Sequence, residues 1–377
     1  MIDLEIDILT RIRRETERSE WELVRATPRG EHQLLLTLSG EDGSETAAQW
    51  YSDPRRCEHA ARATAGVAAP GAVGRVGPHL LVQRRGADRR LPALHDLVRQ
   101  GASLLAHRPE RRGVVTHTVD AQRGYTKVVR PERLPAMLAT LRAVAGTSPV
   151  RVPALLGSDL AHGTVTMAEL PGRTLHDLLA DLRADPATLR AAGAATGRAV
   201  RQLHRAPARA GRPVHDAAAE LRVVQGWTGV AAAHGLLRLP HTSVTAQLQR
   251  TAELLVGSPS GDALLHRDLH DKQILIADEV GLLDLDLAAV GHPALDLANL
   301  QVHLELRVHQ GVVTPERAKA CVEGVMDGYA PEATATAGMR GYGLATRLRL
   351  LAVYAFRPHS SSAASRLLTH PLFKETS

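Results

Sequence analysis

The residues of this 377-residue sequence best placed to do chemistry lie between Leu264 and Ala298. One run is Leu264-Leu265-His266-Arg267-Asp268-Leu269-His270-Asp271-Lys272-Gln273-Ile274-Leu275-Ile276. It is followed by Gly281-Leu282-Leu283-Asp284-Leu285-Asp286 and by His292-Pro293-Ala294-Leu295-Asp296-Leu297-Ala298. Apolar flanks around polar centres predict loops held open between two short buried strands, with Asp278 to Gly281 as the hairpin turn. An aspartate flanked by apolar strands is costly to bury unless something uses its charge. Phosphoryl transfer is the chemistry that needs this set. It takes one carboxylate to orient the attacking hydroxyl and accept its proton, and oxygen ligands for magnesium across the phosphates. Asp268 fits the first role. Gln273 and Asp284, at the start and end of the hairpin, fit the second.

The stretch resembles the aminoglycoside phosphotransferase and choline kinase-like superfamily. That pattern is H-x-D-(L/F)-x-x-x-N followed by a strand ending (I/L)-D-(F/W/L), and it is also similar to the protein-kinase loop H-R-D-x-x-x-x-N. On this resemblance Asp268 matches the catalytic aspartate and Asp284 the metal-binding aspartate. Asp296, in Asp-Leu-Ala, matches a structural acid that braces the loop, and His266, Arg267 and His270 are supporting residues. The family's asparagine, five residues after the aspartate, is here Gln273: the same amide oxygen, one methylene further out. The absence of Asp-Phe-Gly after Asp284 argues against a protein kinase, and the late triplet Ala330-Pro331-Glu332 does not restore one.

The elements that must position these residues follow from periodicity. Met1 to about Leu23 predicts a helix. Leu34 to Leu38, Ala47 to Tyr51 and His79 to Arg84 predict strands, with Ala68 to Pro78 as a loop whose glycines serve as a linker. Leu91 to Gln100 predicts a helix, and three strands follow at Ser103 to Ala106, Gly113 to Val119 and Tyr125 to Val129. A helix starts after Pro131, then Ala154 to Leu156 and Thr164 to Leu170 extend the sheet. From Leu175 onward the pattern is helical, interrupted by Ala263 to Val290. This order predicts a strand-rich lobe, a short connector and a helix-rich lobe, and the resemblance implies an α+β, bilobal, protein-kinase-like fold: residues 1–90 an extra α+β unit, 91–170 a nucleotide-binding lobe ending in a hinge, and 171–377 a helical lobe with the catalytic loop and acceptor site. The extra unit has three roles open to it: a cap on the nucleotide lobe, the contact of a homodimer, or a surface for substrate.

Lys127, in the β-branched strand around Tyr125-Thr126-Lys127-Val128, resembles the family's phosphate-contacting lysine, with Glu132 the nearest acid at the start of the next helix. The phosphate-covering turn falls at His107 to Gly113. Met167-Ala168-Glu169-Leu170 resembles the hinge, whose backbone would hold the purine of ATP or GTP. The last predicted helix carries Arg347, Arg349, Tyr354 and Arg357, which point to a neutral or anionic acceptor, since like charge repels a polycation. A small-molecule hydroxyl is the acceptor implied, on an antibiotic containing a nucleoside or sugar, with a metabolic sugar or small-alcohol kinase as the alternative. A pseudokinase that binds without turnover is the second alternative.

Composition narrows the setting. The chain is 44% hydrophobic and 23% charged, and no uninterrupted apolar run reaches the 18 residues that a membrane span needs. Cys57 and Cys321 stand alone, which fits a reducing cytoplasm. A net charge of +6 invites nucleic acid, yet aromatics are 3% and the arginines are scattered, so no nucleic-acid partner is expected. Lysine appears only at positions 127, 272, 319 and 374, which makes Lys127 conspicuous where arginine is the default.

Overall fold

The computed structural model describes residues 7–16, 20–147, 149–207, 212–237, 241–256 and 261–373. Its first part is α1 (Ile8–Thr16), β1 (Glu22–Pro28), β2 (Gln33–Ser39), β3 (Glu45–Tyr51), α2 (Pro54–Ala65), β4 (Val73–Val76) and β5 (Leu80–Gln83). These strands form an antiparallel sheet in the order β1-β2-β3-β5-β4. The helix expected from Met1 to Leu23 starts on residues 1–6, which lie outside the described ones, and it stops short of Leu23. Glu22 already begins β1, where Leu23 points into the core. Residues 71–77 are more than a linker, because Val73–Val76 pairs along β5 as an edge strand. Helix α2 has no counterpart in the sequence reading. Its start is set by Asp53, whose side chain accepts from the Arg55 N–H, and by Pro54 in the first turn.

A second sheet follows. Helix α3 (Pro92–Arg99) leads into β6 (Ser103–Arg108), β7 (Arg112–Val119) and β8 (Gln122–Val129). After a short 3-10 turn come α4 (Leu134–Thr147), β9 (Leu155–Asp159) and β10 (Thr164–Ala168). The antiparallel order is β6-β7-β8-β10-β9, and it places Lys127 on the central strand opposite Val114 and Val165.

The helical lobe opens with β11 (Arg173–Thr174), α5 (Leu175–Ala180) and α6 (Pro186–Arg205), then β12 (Val214–His215), α7 (Ala217–Ala233) and α8 (His241–Val256). The stretch singled out in the sequence runs through β13 (Ala263–Leu265), β14 (Ile274–Ile276), β15 (Gly281–Leu282) and β16 (Ala289–Gly291). Helices α9 (Ala294–His309), α10 (Pro315–Tyr329), α11 (Ala333–Ala355) and α12 (Ser361–Ser365) complete it. Asp216 caps α7 by accepting from the Ala219 N–H at 2.7 Å. Helices α6 and α10 touch backbone to backbone: a Cβ on Gly193 would lie 2.2 Å from the Cys321 carbonyl oxygen, and one on Gly324 2.1 Å from that of Arg190. Any larger residue at either position forces the helices apart.

The first sheet sits on the helical lobe. Leu23, Leu34, Leu36, Leu38 and Trp50 share a core with Ala231 of α7 and with Ala352 and Phe356 at the end of α11. The Ala26 N–H donates to the Phe356 carbonyl at 2.9 Å, so β1 is tied to that helix end by backbone as well as by apolar burial.

Candidate active site

The catalytic loop is held from beneath by Asp296, in the first turn of α9. Its buried carboxylate accepts from the backbone N–H of His266 (2.7 Å) and of Arg267 (2.8 Å), and from His204 Nε2 (3.0 Å). Burial alone would raise the Asp296 pKa, but the His204 hydrogen bond and the nearby imidazoles outweigh it and hold the group below the usual carboxylate value. Arg267 adopts φ 70°, an uncommon backbone for a non-glycine residue, and the two amide bonds to Asp296 flank that position. His266 is fully buried and its Nε2 lies 2.8 Å from the Leu283 carbonyl oxygen, joining the catalytic loop to the strand end that carries Asp284. Asn299 donates to the Leu269 carbonyl at 2.8 Å and accepts from Arg349 at 2.5 Å. So supported, Asp268 projects half-buried into the cleft, and among the described residues no side chain hydrogen-bonds its carboxylate.

Across the cleft the Lys127 ammonium, 6% exposed, donates to Asp284 Oδ1 at 2.8 Å and to Asp286 Oδ2 at 2.6 Å. Glu132 is exposed and paired with Arg130 instead, and α4 contains no acid, so the lysine's partners are the two aspartates. Arg112 adds a contact to Asp284 at 3.3 Å. Burial opposes ionisation of both acids. At Asp284 the cations Lys127 and Arg112 win, holding it well below the ordinary carboxylate range. At Asp286 burial together with the charge of Asp284 wins, and its pKa is raised.

These groups line a cavity of about 410 Å³ with Val114, Tyr125, Leu141, Met167, Ala168, Glu169, Leu170 and Gln273. The hinge segment is tied into the lobe: Ala168 N–H donates to Ala154, Glu169 N–H to Arg123, and Tyr125 Oη to Glu169 at 3.0 Å. Pro171 has no N–H, which leaves the Leu170 N–H as the hinge donor without a backbone partner among the described residues.

The turn between β6 and β7, at Pro109 to Arg111, is clamped by the N-terminal unit. Asp88 accepts from the Glu110 N–H at 2.6 Å and lies 2.9 Å from His107 Nε2. The buried Glu110 carboxylate in turn pairs with Arg89 Nε at 2.7 Å and with Arg29. The first 85 residues thus reach the β6–β7 turn, through Arg29, as well as the helical lobe.

The sequence profile of the phosphotransferase enzyme family (APH) matches residues 115–342, more than half of the chain. The chain belongs to the phosphotransferase enzyme family. It is a small-molecule kinase of the aminoglycoside phosphotransferase and choline kinase-like superfamily, with the expected bilobal kinase-like fold. Among solved structures it is similar to a thermostable mutant of an aminoglycoside phosphotransferase, APH(4)-Ia, in ternary complex with AMP-PNP and hygromycin B. The likeness has TM-score 0.51 and 15% identity, covering 72% of this chain and 93% of that one. It is also similar to choline kinase from Cryptosporidium parvum Iowa II, with TM-score 0.50 and 10% identity, covering 76% of this chain and 92% of that one. Among curated sequences none matches.

Within that family frame, the fold brings Lys127, Asp268, Gln273, Asp284 and the hinge residues 167–170 around one cleft. It does not bring the expected acceptor residues together. Arg347, 3% exposed, is paired with Glu305 and donates to the Gly343 carbonyl. Arg349 serves Asn299 beneath the catalytic loop. Two residues apart on a helix are roughly 200° apart around it, so both could not face one cleft. Tyr354 is buried, with the Arg357 guanidinium 3.9 Å above its ring. His270 stacks near His303 with ring centroids 4.9 Å apart, and burial depresses both imidazoles.

Sequence reasoning misses two acids. Asp286 stands two residues after Asp284, and that Asp-x-Asp spacing is its signal. Asp271 is fully buried, accepting from Arg307 Nε (2.8 Å) and Nη2 (2.9 Å), with His176 Nδ1 at 2.5 Å. Among the polar residues from His266 to Gln273, nothing in the sequence sets it apart.

Magnesium can be tested against these residues. Asp286 Oδ1 is buried with no hydrogen-bond partner, beside the Asp284 carboxylate and in the cavity that the Gln273 side chain lines. Among the described residues no group of three or more His, Cys, Asp or Glu forms a metal cluster. Two carboxylates and an amide are too few for an all-protein cage, but they suit an ion that keeps waters and takes substrate phosphates as ligands.

Proposed function

We propose that the chain is a magnesium-dependent O-phosphotransferase that moves the γ-phosphate of ATP or GTP to a hydroxyl of a small molecule, in the cytoplasm. Its substrate would be an antibiotic containing a nucleoside or sugar, modified for self-protection. The observation that supports the reading is that Asp284 lies in the wall between two adjoining cavities, one lined by Lys127 and residues 167–170 and the other by Asp268.

In this reading the purine lies at residues 167–170, with Leu170 N–H as donor, and Lys127 and Arg112 stand at the phosphates. Asp284, Gln273 and Asp286 would hold the magnesium ion, which would neutralise charge on the phosphates. Asp268 orients the acceptor hydroxyl. Its oxygen forms the new bond to the γ-phosphorus, the bond to the β-phosphate oxygen breaks, the nucleoside diphosphate leaves with that electron pair, and the hydroxyl proton passes to Asp268.

The test is nucleotide consumption with ATP and with GTP, with and without magnesium, across antibiotics and simple sugars. Nucleotide binding without consumption in any of these mixtures would favour a pseudokinase. Gln273→Ala is expected to raise the magnesium concentration for half-maximal activity by about tenfold or more, on the scale of perturbed metal sites, with Gln273→Asn recovering part of it. An unchanged magnesium titration removes Gln273 from the ligand set.

A further inference from the structure

A second cavity, of about 600 Å³, opens beside the nucleotide cavity and shares Arg112, Asp284 and Asp286 with it. Asp268 lines this one alone, and so do Arg108, Arg111 and Arg133. The hinge and Lys127 do not reach it. If phosphoryl transfer occurs at the shared wall, the nucleotide fills the first cavity and the acceptor fills the second.

The second cavity is strongly basic. Arg108 and Arg111 flank the β6–β7 turn, and Arg133 stands at the start of α4. Among the described residues none of these three makes an ion pair, and Arg112 pairs only with Asp284. Behind Arg108 stand Arg25 of β1 and Arg357 past the end of α11. Burial, then Arg112 and Arg25, lower the Arg108 guanidinium to about 10, which Asp284 only partly offsets. Burial and repulsion from Arg29 and Arg133 likewise lower Arg111. Guanidiniums gathered from the N-terminal unit, the β6–β7 turn and the helical lobe repel one another. Such a cluster is costly until an anion enters, and its planar donors match a carboxylate or phosphate.

We propose that this cavity binds an anionic group of the acceptor, a carboxylate or a phosphate, so that the substrate is a hydroxylated acid and not a polyamine. The inference rests on the phosphotransferase reading for which cavity holds the acceptor, and it names the acceptor's charge. Arg108, Arg111 and Arg133 take the anion while Asp268 faces the hydroxyl. Specificity against cationic sugars follows from repulsion in the same cavity.

Matched acceptors test it: ribose against ribose 5-phosphate, and glucose against gluconate, with glucosamine as the cationic member. The acidic member of one pair is expected to have a KM at least about tenfold below its neutral partner, and which pair responds tells phosphate from carboxylate. Arg108→Gln and the exposed Arg133→Gln are expected to raise that KM about tenfold and leave the nucleotide KM unchanged. A rise in nucleotide KM alone would assign these arginines to the donor phosphates and overturn the proposal, as would equal use of glucosamine. If no compound accepts phosphate, the phosphotransferase reading is what has failed. The anion site is then judged by titrating inorganic phosphate onto protein saturated with a non-hydrolysable ATP analogue. Binding that Arg108→Gln abolishes sustains the site, and no binding by the wild type sinks it.

Discussion

Asp268→Asn is expected to lower kcat by at least about 100-fold while the nucleotide KM stays where it is. Asparagine has the shape of aspartate, so the loop should survive. The loop's conformation is set elsewhere, by Asp296 on the amides of His266 and Arg267, by His266 on Leu283 and by Asn299 on Leu269. What the change removes is a charged acceptor for the hydroxyl proton, at a position where no other described side chain hydrogen-bonds the carboxylate. The loss should therefore fall on turnover. On the proposed reading the nucleotide is held by Lys127, Arg112 and residues 167–170, and Lys127 and Arg112 pair with Asp284 and not with Asp268. Turnover near the wild-type rate in Asp268→Asn would take the base role away from this residue.

The fold is legible where local pattern and tertiary use agree. The strands around Lys127 carry β-branched residues and end in turns, and the last four residues of β8 are buried in a row, as a central strand covered on both faces requires. Helix α2 is not legible because Pro54–Ala65 is a short arginine- and alanine-rich stretch, and only Cys57, Ala60, Ala61 and Thr64 mark its buried face. The opening helix reads too long for a related reason. Leu23 continues the apolar rhythm of Ile8 and Ile12, yet its partners are the neighbouring strand and Phe356, more than 300 residues away in sequence. Periodicity in one dimension cannot carry that contact.

The site divides the same way. Asp268, Gln273 and Asp284 sit within or beside one hairpin, so their spacing along the chain nearly fixes their spacing in space. Lys127 arrives from a different sheet, and its pairing with both Asp284 and Asp286 depends on how the lobes close. The expected grouping of acceptor arginines along one helix is not found, because Arg347 is buried against Glu305 and Arg349 serves Asn299. The arginines that face Asp268 come instead from the β6–β7 turn and the start of α4. Nothing local in Arg108-Pro109-Glu110-Arg111 announces that Glu110 will be buried under Arg29 and Arg89.

Asp271→Ala should destabilise the protein by about 3–5 kcal/mol, the usual cost of stranding one member of a buried ion pair. Arg307, 5% exposed, points two nitrogens at this carboxylate, and among the described residues its other side-chain hydrogen bonds go to Gln310 and Tyr354, neither of them a carboxylate. With alanine at 271 the guanidinium keeps its charge and loses the counter-charge, and His176 loses its partner. The pH dependence identifies the cause. Burial works to raise the Asp271 pKa, but the hydrogen bonds from His176 and Arg307 prevail and hold it far below the unfolded value of about 3.9. A depressed carboxylate contributes its full stability above its unfolded pKa and loses it as pH falls toward the folded one. The gap between wild type and Asp271→Ala in urea midpoint should therefore be widest near neutral pH and narrow below about pH 4. A gap below about 1 kcal/mol at pH 7, or one that persists unchanged in acid, would mean that packing and not the ion pair fixes this end of the catalytic loop.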